Sequence, residues 1–215
     1  MRERESDLHI FDLDRTLFRK NGSFAFYHFL LKKGILPWST LIRCIPLLFR
    51  SLDLTFLHRE VFRRVLKGVP LSHLEEVVEP FLDQSMDRLL SPFVYRCLQK
   101  AKKRGAVVAL LSSSPHFLVS RIAKRLRIQR WAGTEYAVDK EGKLCDIATL
   151  ITGRTKLCIA KQWAAECGLS SHQSAAYSDS NDDLPLLEWV GHPIAVQPDR
   201  QLLAVARERR WLVFS

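Results

Sequence analysis

The sequence lacks most of the signals that would mark a secreted, membrane-spanning or zinc-ribbon protein. Its five cysteines are odd in number and include no C-x-x-C pair, which argues against a disulfide framework and a zinc ribbon. Its first residues carry no apolar stretch of the kind found in signal peptides. The longest apolar region, residues 35–57, is interrupted by Arg43, Arg50 and Asp53, so it does not predict a spanning helix. We therefore expect a cytoplasmic protein with reduced thiols.

Acidic residues are in the minority, with 23 Asp and Glu against 33 Lys and Arg, and the formal net charge is +10. Such an excess of positive charge favours anionic partners: a phosphorylated metabolite, a nucleic acid or an anionic membrane surface. Nucleic acid is not expected, because no aromatic–basic recognition motif is present. The length of 215 residues and the hydrophobic fraction of 47% allow one large domain or a core with a smaller insert.

Strand-like apolar runs alternate with helical segments through most of the chain. The runs are short and rich in β-branched residues or alanine, and they lie at residues 8–11, 106–111, 174–177, 193–196 and 211–214. Helical segments separate them, and Ser114 and Thr155 are the expected N-caps of two of these helices. Strands that alternate with helices predict an α/β fold built on a doubly wound, Rossmann-like parallel sheet.

The stretch after the first strand differs, because residues 18–90 carry helical patterns and no strand signal. Ser23 is the expected N-cap of its first helix. We therefore predict an α/β core of residues 1–17 and 91–215, and a small all-helical cap of residues 18–90. Within the cap, basic residues outnumber acidic ones by ten to two between positions 19 and 67, which fits either a solvated helix surface or a face for anionic lipid.

Two aspartates, Asp12 and Asp14, follow the first predicted strand directly. Open α/β sheets bind ligands outside the carboxyl ends of their strands. Two carboxylates crowded there repel each other unless a cation or a proton offsets their charge, and Mg²⁺ with its oxygen ligands is the usual solution. The alternative for this pair alone is that the aspartates cap or close a turn.

Three further polar clusters follow predicted strands or open the helices after them. They are Ser112-Ser113-Ser114, Lys156, and Asp179 with Asp182 and Asp183. Backbone N–H groups and hydroxyls at the first cluster suit an anion, and a lysine at a helix N-terminus opposes the helix dipole and so needs another reason to be there. Each cluster also has an ordinary alternative: a serine-rich loop, a solvated lysine and a charged helix N-terminus.

The order of these four clusters resembles the haloacid dehalogenase superfamily of phosphohydrolases. Phe11-Asp12-Leu13-Asp14-Arg15-Thr16-Leu17 is similar to its first motif, and Leu110-Leu111-Ser112-Ser113-Ser114 to its second. Lys156 is similar to the third motif, and Ser178-Asp179-Ser180-Asn181-Asp182-Asp183 to the fourth. A helical insert between the first and second motifs is similar to the phosphoserine phosphatase branch. The resemblance implies the fold of that superfamily with a helical cap.

The resemblance also implies separate roles for the two leading aspartates. Asp12 would attack phosphorus and form an aspartyl phosphate, which splits one difficult step into two. Asp14 would protonate the leaving oxygen and later deprotonate the hydrolytic water. True dehalogenases of the superfamily lack an acid at this second place, so Asp14 favours a phosphatase.

Magnesium is the cofactor that the resemblance implies. It would be held by Asp12, the backbone carbonyl of Asp14 and Asp179, while Asp183 and Asp182 would orient its surroundings. The transferring phosphoryl oxygens would be bound by three other residues, Ser112, Ser113 and Lys156.

Four positions depart from the family pattern, and two of them, Ser178 and Ser180, stand where the fourth motif usually has glycines and are tolerable variants. Arg15 stands where the superfamily usually has glycine, and it adds charge at the site. Asn21 stands where phosphoserine phosphatases place a glutamate that reads the substrate amine, which argues against phosphoserine as the substrate.

The expected activity is magnesium-dependent hydrolysis of a small phosphorylated metabolite, and two alternatives remain. One is a lipid phosphatase at an anionic membrane surface, acting for example on phosphatidylglycerophosphate and peripheral to that membrane. It is suggested by the mixture of basic and large apolar residues from Leu36 to Phe49. The other is a non-enzymatic phosphate-binding module, against which the intact acidic residues argue.

Overall fold

A seven-stranded sheet forms the centre of the computed structural model, which describes residues 7–40 and 54–214. The strands are β1 (Leu8–Phe11), β2 (Val107–Pro115), β3 (Arg130–Val138), β4 (Leu144–Thr149), β5 (Ser174–Ser178), β6 (His192–Val196) and β7 (Leu212–Phe214). They lie in the order β4-β3-β2-β1-β5-β6-β7, and every neighbouring pair is parallel except β3 and β4. The predicted α/β class with a mostly parallel sheet is confirmed.

The helices of the described residues cover both faces of this sheet and form the cap. They are α1 (Gly22–Lys32), α2 (Leu54–Val61), α3 (Leu71–Leu89), α4 (Pro92–Lys103), α5 (His116–Arg125), α6 (Gly153–Glu166), α7 (Leu184–Trp189) and α8 (Arg200–Glu208). Side chains of β2 alternate between two apolar clusters: Val108 and Leu110 pack with α4 and α5, whereas Ala109 and Leu111 pack with α6, α7 and α8. Because both faces of the sheet are covered, successive side chains of β2 from Val107 to Leu111 are all apolar.

The cap is helical, and its apolar side chains belong to the same buried cluster as those on one face of the sheet. Phe26 and Phe29 of α1 contact Phe81 of α3, with ring centroids 5.3 and 5.6 Å apart. An isolated bridge joins Phe18 to Leu90, at the two ends of the segment predicted as the cap. The exact boundaries of core and cap stay a prediction.

Part of the basic and apolar segment that suggested membrane contact, residues 41–49, lies outside the described residues. No helix in residues 7–40 or 54–214 is both long and apolar enough to cross a bilayer.

Two of the predicted helix caps are wrong by a few residues. Helix α1 has Asn21 as its N-cap, whose side chain accepts a hydrogen bond from the Phe24 amide at 2.9 Å, and Ser23 lies inside the first turn. Helix α6 begins after Thr152 rather than Thr155. Local sequence favours several neighbouring polar residues as caps, and contacts with distant segments decide which residue starts the helix.

The register of the central strands gathers the predicted clusters at one edge of the sheet. Phe11, the last residue of β1, lies opposite Leu110 of β2 and Tyr177 of β5. Asp12 and Asp179 therefore emerge side by side, because parallel neighbouring strands end at the same edge.

Candidate active site

Lys156 lies between two carboxylates at the centre of the site. Its Nζ is 2.7 Å from Asp12 Oδ1 and 2.7 Å from Asp183 Oδ2, and all three residues are buried. Burial alone would lower the pKa of Lys156, but the two carboxylates outweigh it and raise that pKa, so the ammonium stays charged. Burial raises the pKa of Asp12, while Lys156 opposes the rise. The lysine therefore lies where it can offset the charge of Asp12.

Asp14 is held by hydrogen bonds from both the core and the cap. Its Oδ1 accepts from the Gly22 amide at 2.5 Å, and its Oδ2 accepts from Ser114 Oγ at 2.5 Å. Burial raises the pKa of Asp14, although the hydrogen bonds from Ser114 and Gly22 oppose that rise. A carboxyl with a raised pKa can donate a proton closer to neutral pH, which suits a general acid.

The three serines after the second strand have three different surroundings. Ser112 Oγ accepts from the Ser114 amide at 3.0 Å and is 3.5 Å from Asp14 Oδ2. Ser113 reaches the cavity wall, and its carbonyl accepts from Thr134 Oγ1 at 2.8 Å. Ser114 is not the predicted helix cap, because β2 extends to Pro115 and the Ser114 hydroxyl is used by Asp14. Phosphate binding by Ser112 and Ser113 stays a prediction.

Asp179 is in contact with Arg15, the residue that departs from the usual glycine. Arg15 Nε lies 3.3 Å from Asp179 Oδ2, and Thr16 Oγ1 donates to Asp179 Oδ1 at 3.5 Å. Arg15 has a φ of 58°, in the left-handed region that glycine adopts at lower cost. Burial raises the pKa of Asp179 to about 6, although the Arg15 guanidinium opposes the rise. Arg15 thus supplies a positive charge at a predicted metal ligand.

Asp182 accepts a hydrogen bond from the first turn of the helix that carries Lys156. The Gly153 amide donates to Asp182 Oδ2 at 2.8 Å, which satisfies an N–H group in the first turn of α6. A Cβ added at Gly153 would lie only 1.6 Å from the Asp182 carbonyl oxygen, so only glycine allows this approach. The sequence predicts Asp182 as a residue that orients the metal's surroundings, and the structure places it at this helix start.

A cavity of about 220 Å³ lies over these groups. The cap contributes Asn21, Tyr27 and His58 to its wall, and β3 contributes Tyr136. Burial lowers the pKa of His58, which favours the neutral imidazole. Of these four, the sequence connects only Asn21 with the substrate and favours Tyr27 as a packing residue, because no local pattern shows which cap side chains will face a site on another part of the chain.

The acidic groups at this sheet edge are compatible with Mg²⁺. Within the described residues, no three His, Cys, Asp or Glu side chains are grouped as a complete metal site. Asp12 and Asp179 offer two carboxylates, and Asp183 Oδ1 is buried with no hydrogen-bond partner in the described part of the chain. Mg²⁺ commonly takes one or two carboxylates and completes its coordination with waters and substrate phosphate, so this oxygen donor set suits it.

Comparison with known proteins identifies the family of this chain. Residues 10–188 match the model of the haloacid dehalogenase-like hydrolase family. A histidinol-phosphatase of Neisseria meningitidis serogroup C (strain 8013) is 28% identical, over 97% of this chain and 98% of its own length.

Two solved structures have the same fold. A protein with unknown function from Bordetella pertussis Tohama I has a TM-score of 0.81 at 24% identity, covering 98% of this chain and 99% of that one. A substrate-bound phosphoserine phosphatase complex has a TM-score of 0.72 at 18% identity, covering 99% of this chain and 94% of that one.

The family match spans all four predicted motifs, from Asp12 through Lys156 to Asp183. It confirms the predicted family and the prediction of a hydrolytic enzyme, and the solved structures confirm the fold. The chain belongs to the haloacid dehalogenase-like hydrolase family.

Proposed function

We propose that this protein is a magnesium-dependent phosphomonoester hydrolase that forms an aspartyl phosphate on Asp12. The observation that supports the proposal is the different environment of the two leading aspartates. Asp12 lies 2.7 Å from the Lys156 ammonium, whereas Asp14 receives its close hydrogen bonds from uncharged donors. A nucleophile must be ionised and a general acid must carry a proton: the Lys156 ammonium favours the ionised form of Asp12, whereas burial with no cation in hydrogen-bond contact among the described residues favours the protonated form of Asp14.

In the first half of the proposed reaction, Asp12 attacks phosphorus and the phosphate–oxygen bond to the leaving alcohol breaks. Asp14 gives its proton to that leaving oxygen, so the alcohol departs neutral. Lys156 keeps its positive charge beside Asp12 and the transferring phosphoryl group. A bound Mg²⁺ would supply further neutralisation of the phosphoryl oxygens, held by Asp12, the Asp14 carbonyl and Asp179.

In the second half, water attacks the aspartyl phosphate and regenerates the enzyme. Asp14, now ionised, takes a proton from that water, and inorganic phosphate leaves while the Asp12 carboxylate is restored. The same carboxyl acts as acid and then as base, so it ends each cycle protonated. Its contacts with Gly22 and Ser114 hold it in one place for both steps.

A small phosphorylated metabolite is the proposed substrate class, and histidinol phosphate is the first member to test. The relative named histidinol-phosphatase matches nearly the full length of both chains. The cavity wall carries the aromatic side chains of Phe24, Tyr27 and Tyr136, which can pack against a flat ring in the substrate. Histidinol phosphate and phosphoserine both carry an amine, so Asn21 at the place of the phosphoserine phosphatase glutamate does not separate the two, and the aromatic wall is what favours a substrate with a ring.

The test is hydrolysis by the purified protein with and without Mg²⁺. We expect release of p-nitrophenol from p-nitrophenyl phosphate to stop when EDTA removes the metal, and to return when Mg²⁺ is added in excess. A panel of histidinol phosphate, phosphoserine and phosphatidylglycerophosphate in vesicles then distinguishes the two substrate classes. Faster hydrolysis of the soluble compounds supports a metabolite phosphatase, and faster hydrolysis of the lipid supports the alternative. Equal rates in EDTA and Mg²⁺, or no hydrolysis of any phosphomonoester, would contradict the proposal.

Removing the Arg15 side chain should tighten Mg²⁺ binding. The guanidinium competes with a cation for Asp179 Oδ2, 3.3 Å away, and Arg15→Ala ends that competition. Because the Arg15 side chain is 55% exposed, water screens the ion pair, and we expect only about a two- to fivefold lower Kd for Mg²⁺. Isothermal titration calorimetry measures this without any turnover. Arg19→Ala is the matched control, since Arg19 bonds to the Leu90 carbonyl, and an unchanged Kd in Arg15→Ala would refute the competition.

A further inference from the structure

Three short hydrogen bonds connect the cap, the core and Asp14. Ser23, in the first turn of α1, places its Oγ 2.5 Å from Ser114 Oγ at the end of β2. Ser114 Oγ is in turn 2.5 Å from Asp14 Oδ2, and the Gly22 amide donates to the other carboxylate oxygen at 2.5 Å. Both oxygens of the Asp14 carboxyl are therefore fixed, one of them through a chain of two hydroxyls.

The hydroxyl protons fix which group donates and which accepts in the hydrogen bonds that join Ser23, Ser114 and Asp14. A serine hydroxyl has one proton to donate, and Ser114 gives it to Asp14 when that carboxyl is ionised. The proton in the bond between the two serines must then come from Ser23, so Ser23 donates and Ser114 accepts. Each Asp14 oxygen keeps a second lone pair, where the proton transferred in catalysis can be carried.

The backbone around Ser114 is shaped for this contact. Pairing of β2 with β3 shifts register between Leu111 and Pro115, and such irregularities commonly redirect a side chain at the end of a strand. Ser114 is 1% exposed, so a hydroxyl without partners there would be costly. The family resemblance gives Ser114 no role at Asp14, and the sequence suggested this residue as a helix cap within a serine cluster that suits an anion.

Glycine at position 22 allows the cap helix to come this close. A Cβ at Gly22 would lie 2.9 Å from the Phe18 ring and 3.3 Å from Asp14 Oδ1. Helix α1 can therefore bring both a backbone amide and the Ser23 hydroxyl to the Asp14 region in a single turn.

We propose that Ser23 and Ser114 are positioning residues that orient the Asp14 carboxyl for proton transfer, with Ser23 acting from the cap through Ser114. The inference rests on the proposed function, in which Asp14 is the general acid and base. The cap thus holds the acid in place as well as lining the cavity. Neither hydroxyl needs to contact the phosphate for this role.

The test uses aryl phosphates whose leaving groups differ in their need for a proton, from p-nitrophenyl to phenyl to p-methoxyphenyl phosphate. We expect Ser114→Ala to lower kcat/KM for phenyl phosphate by about 10- to 100-fold, within the range that general acid–base catalysis and orientation supply. The loss for p-nitrophenyl phosphate should be about threefold or less, because that leaving group departs without protonation. The plot of log kcat/KM against leaving-group pKa should therefore be steeper in Ser114→Ala than in the wild type.

Ser23→Ala should produce the same steepening to a smaller degree, and Ser23→Thr, which keeps the hydroxyl, should restore the wild-type slope. Ser120→Ala is the matched control, because Ser120 Oγ bonds only to the Phe117 carbonyl in α5 among the described residues. A direct contact between either serine and the phosphate would instead lower kcat/KM by one factor for every substrate. An unchanged slope in Ser114→Ala, or equal slopes in Ser114→Ala and Ser120→Ala, would overturn the inference.

The double variant separates this inference from the proposed function. Because Ser23 acts through Ser114, the Tm shifts of Ser23→Ala and Ser114→Ala should be less than additive when combined. This measurement needs no activity. A wild type without phosphatase activity would refute the proposed function alone, whereas additive Tm shifts would overturn the hydroxyl chain itself.

Discussion

Asp12→Asn should abolish phosphatase activity while the protein stays folded. The amide oxygen of asparagine is a poor nucleophile, so no covalent intermediate can form, and we expect kcat to fall by at least about 10⁴-fold. The fold should tolerate the change, because asparagine has nearly the same volume as aspartate. In the wild type Lys156 Nζ donates to Asp12 Oδ1 at 2.7 Å, and the asparagine oxygen can accept the same hydrogen bond. The change also removes a buried negative charge near Asp183 and Asp179.

Steady-state rates on p-nitrophenyl phosphate measure the loss, and circular dichroism and the Tm report on the fold. Rapid quenching followed by hydroxylamine, which cleaves acyl phosphates, should detect the aspartyl phosphate in the wild type and not in Asp12→Asn. Asp83→Asn is a matched control, because Asp83 is an exposed carboxylate that pairs with Arg125, and neither residue lines the cavity. Substantial activity in folded Asp12→Asn would refute covalent catalysis at this residue.

The sheet and the gathering of its polar residues follow from local pattern. Alternation of strands and helices predicted the parallel sheet, and the polar residues directly after the predicted strands 8–11, 106–111 and 174–177 were predicted to meet. They do meet, because Phe11, Leu110 and Tyr177 are in register. The end of β1 could be recognised from the sequence because its apolar run stops at Asp12, whereas β2 continues past its apolar run through the serines to Pro115.

Helix starts and side-chain partners were less predictable. Ser23 and Ser114 both fit the local preference for N-caps, yet their hydroxyls bond to each other across 91 residues of sequence. Asp182 takes part in starting α6 from a position after β5, which no pattern around Gly153 could indicate. Such contacts depend on how the elements pack, and tertiary packing overrides a preference worth about 1 kcal/mol.

The cavity wall shows the same limit for function. His58 and Tyr136 carry no motif, and they reach the site only because α2 and the end of β3 come together over the sheet edge. The type of reaction could therefore be predicted from residues beside the strands. The substrate depends on contacts from the cap, and no sequence pattern indicates which cap residues make them.

Lys156→Met should impair both activity and stability. Methionine fills a similar volume but removes the only cation within hydrogen-bond distance of Asp12 and Asp183 in the described residues. Breaking a buried ion pair by removing one partner costs about 3–5 kcal/mol, so we expect that decrease in the free energy of unfolding at pH 7 in the presence of EDTA. Loss of the charge beside the transferring phosphoryl group should lower kcat by about 10²- to 10³-fold.

The stability loss should depend on pH in a direction that identifies its cause. Burial already raises the pKa of Asp12, and removal of Lys156 takes away the charge that opposed the rise. The folded state of Lys156→Met then binds more protons than the unfolded state above about pH 4, so its stability falls as the pH rises from that value. The difference in the free energy of unfolding between the wild type and Lys156→Met should therefore be smallest near pH 4 to 5 and larger at pH 7.

Urea unfolding at several pH values measures this trend, with Lys161→Met as the control on the exposed face of the same helix. Lys161→Met should show no such dependence, because a solvated lysine has no buried carboxylate to offset. A deficit in Lys156→Met that is the same at every pH would mean that lost packing, rather than uncompensated charge, destabilises the variant. In that case Lys156 would not be what keeps Asp12 ionised, and the charge balance proposed for the nucleophile would have to come from the metal alone.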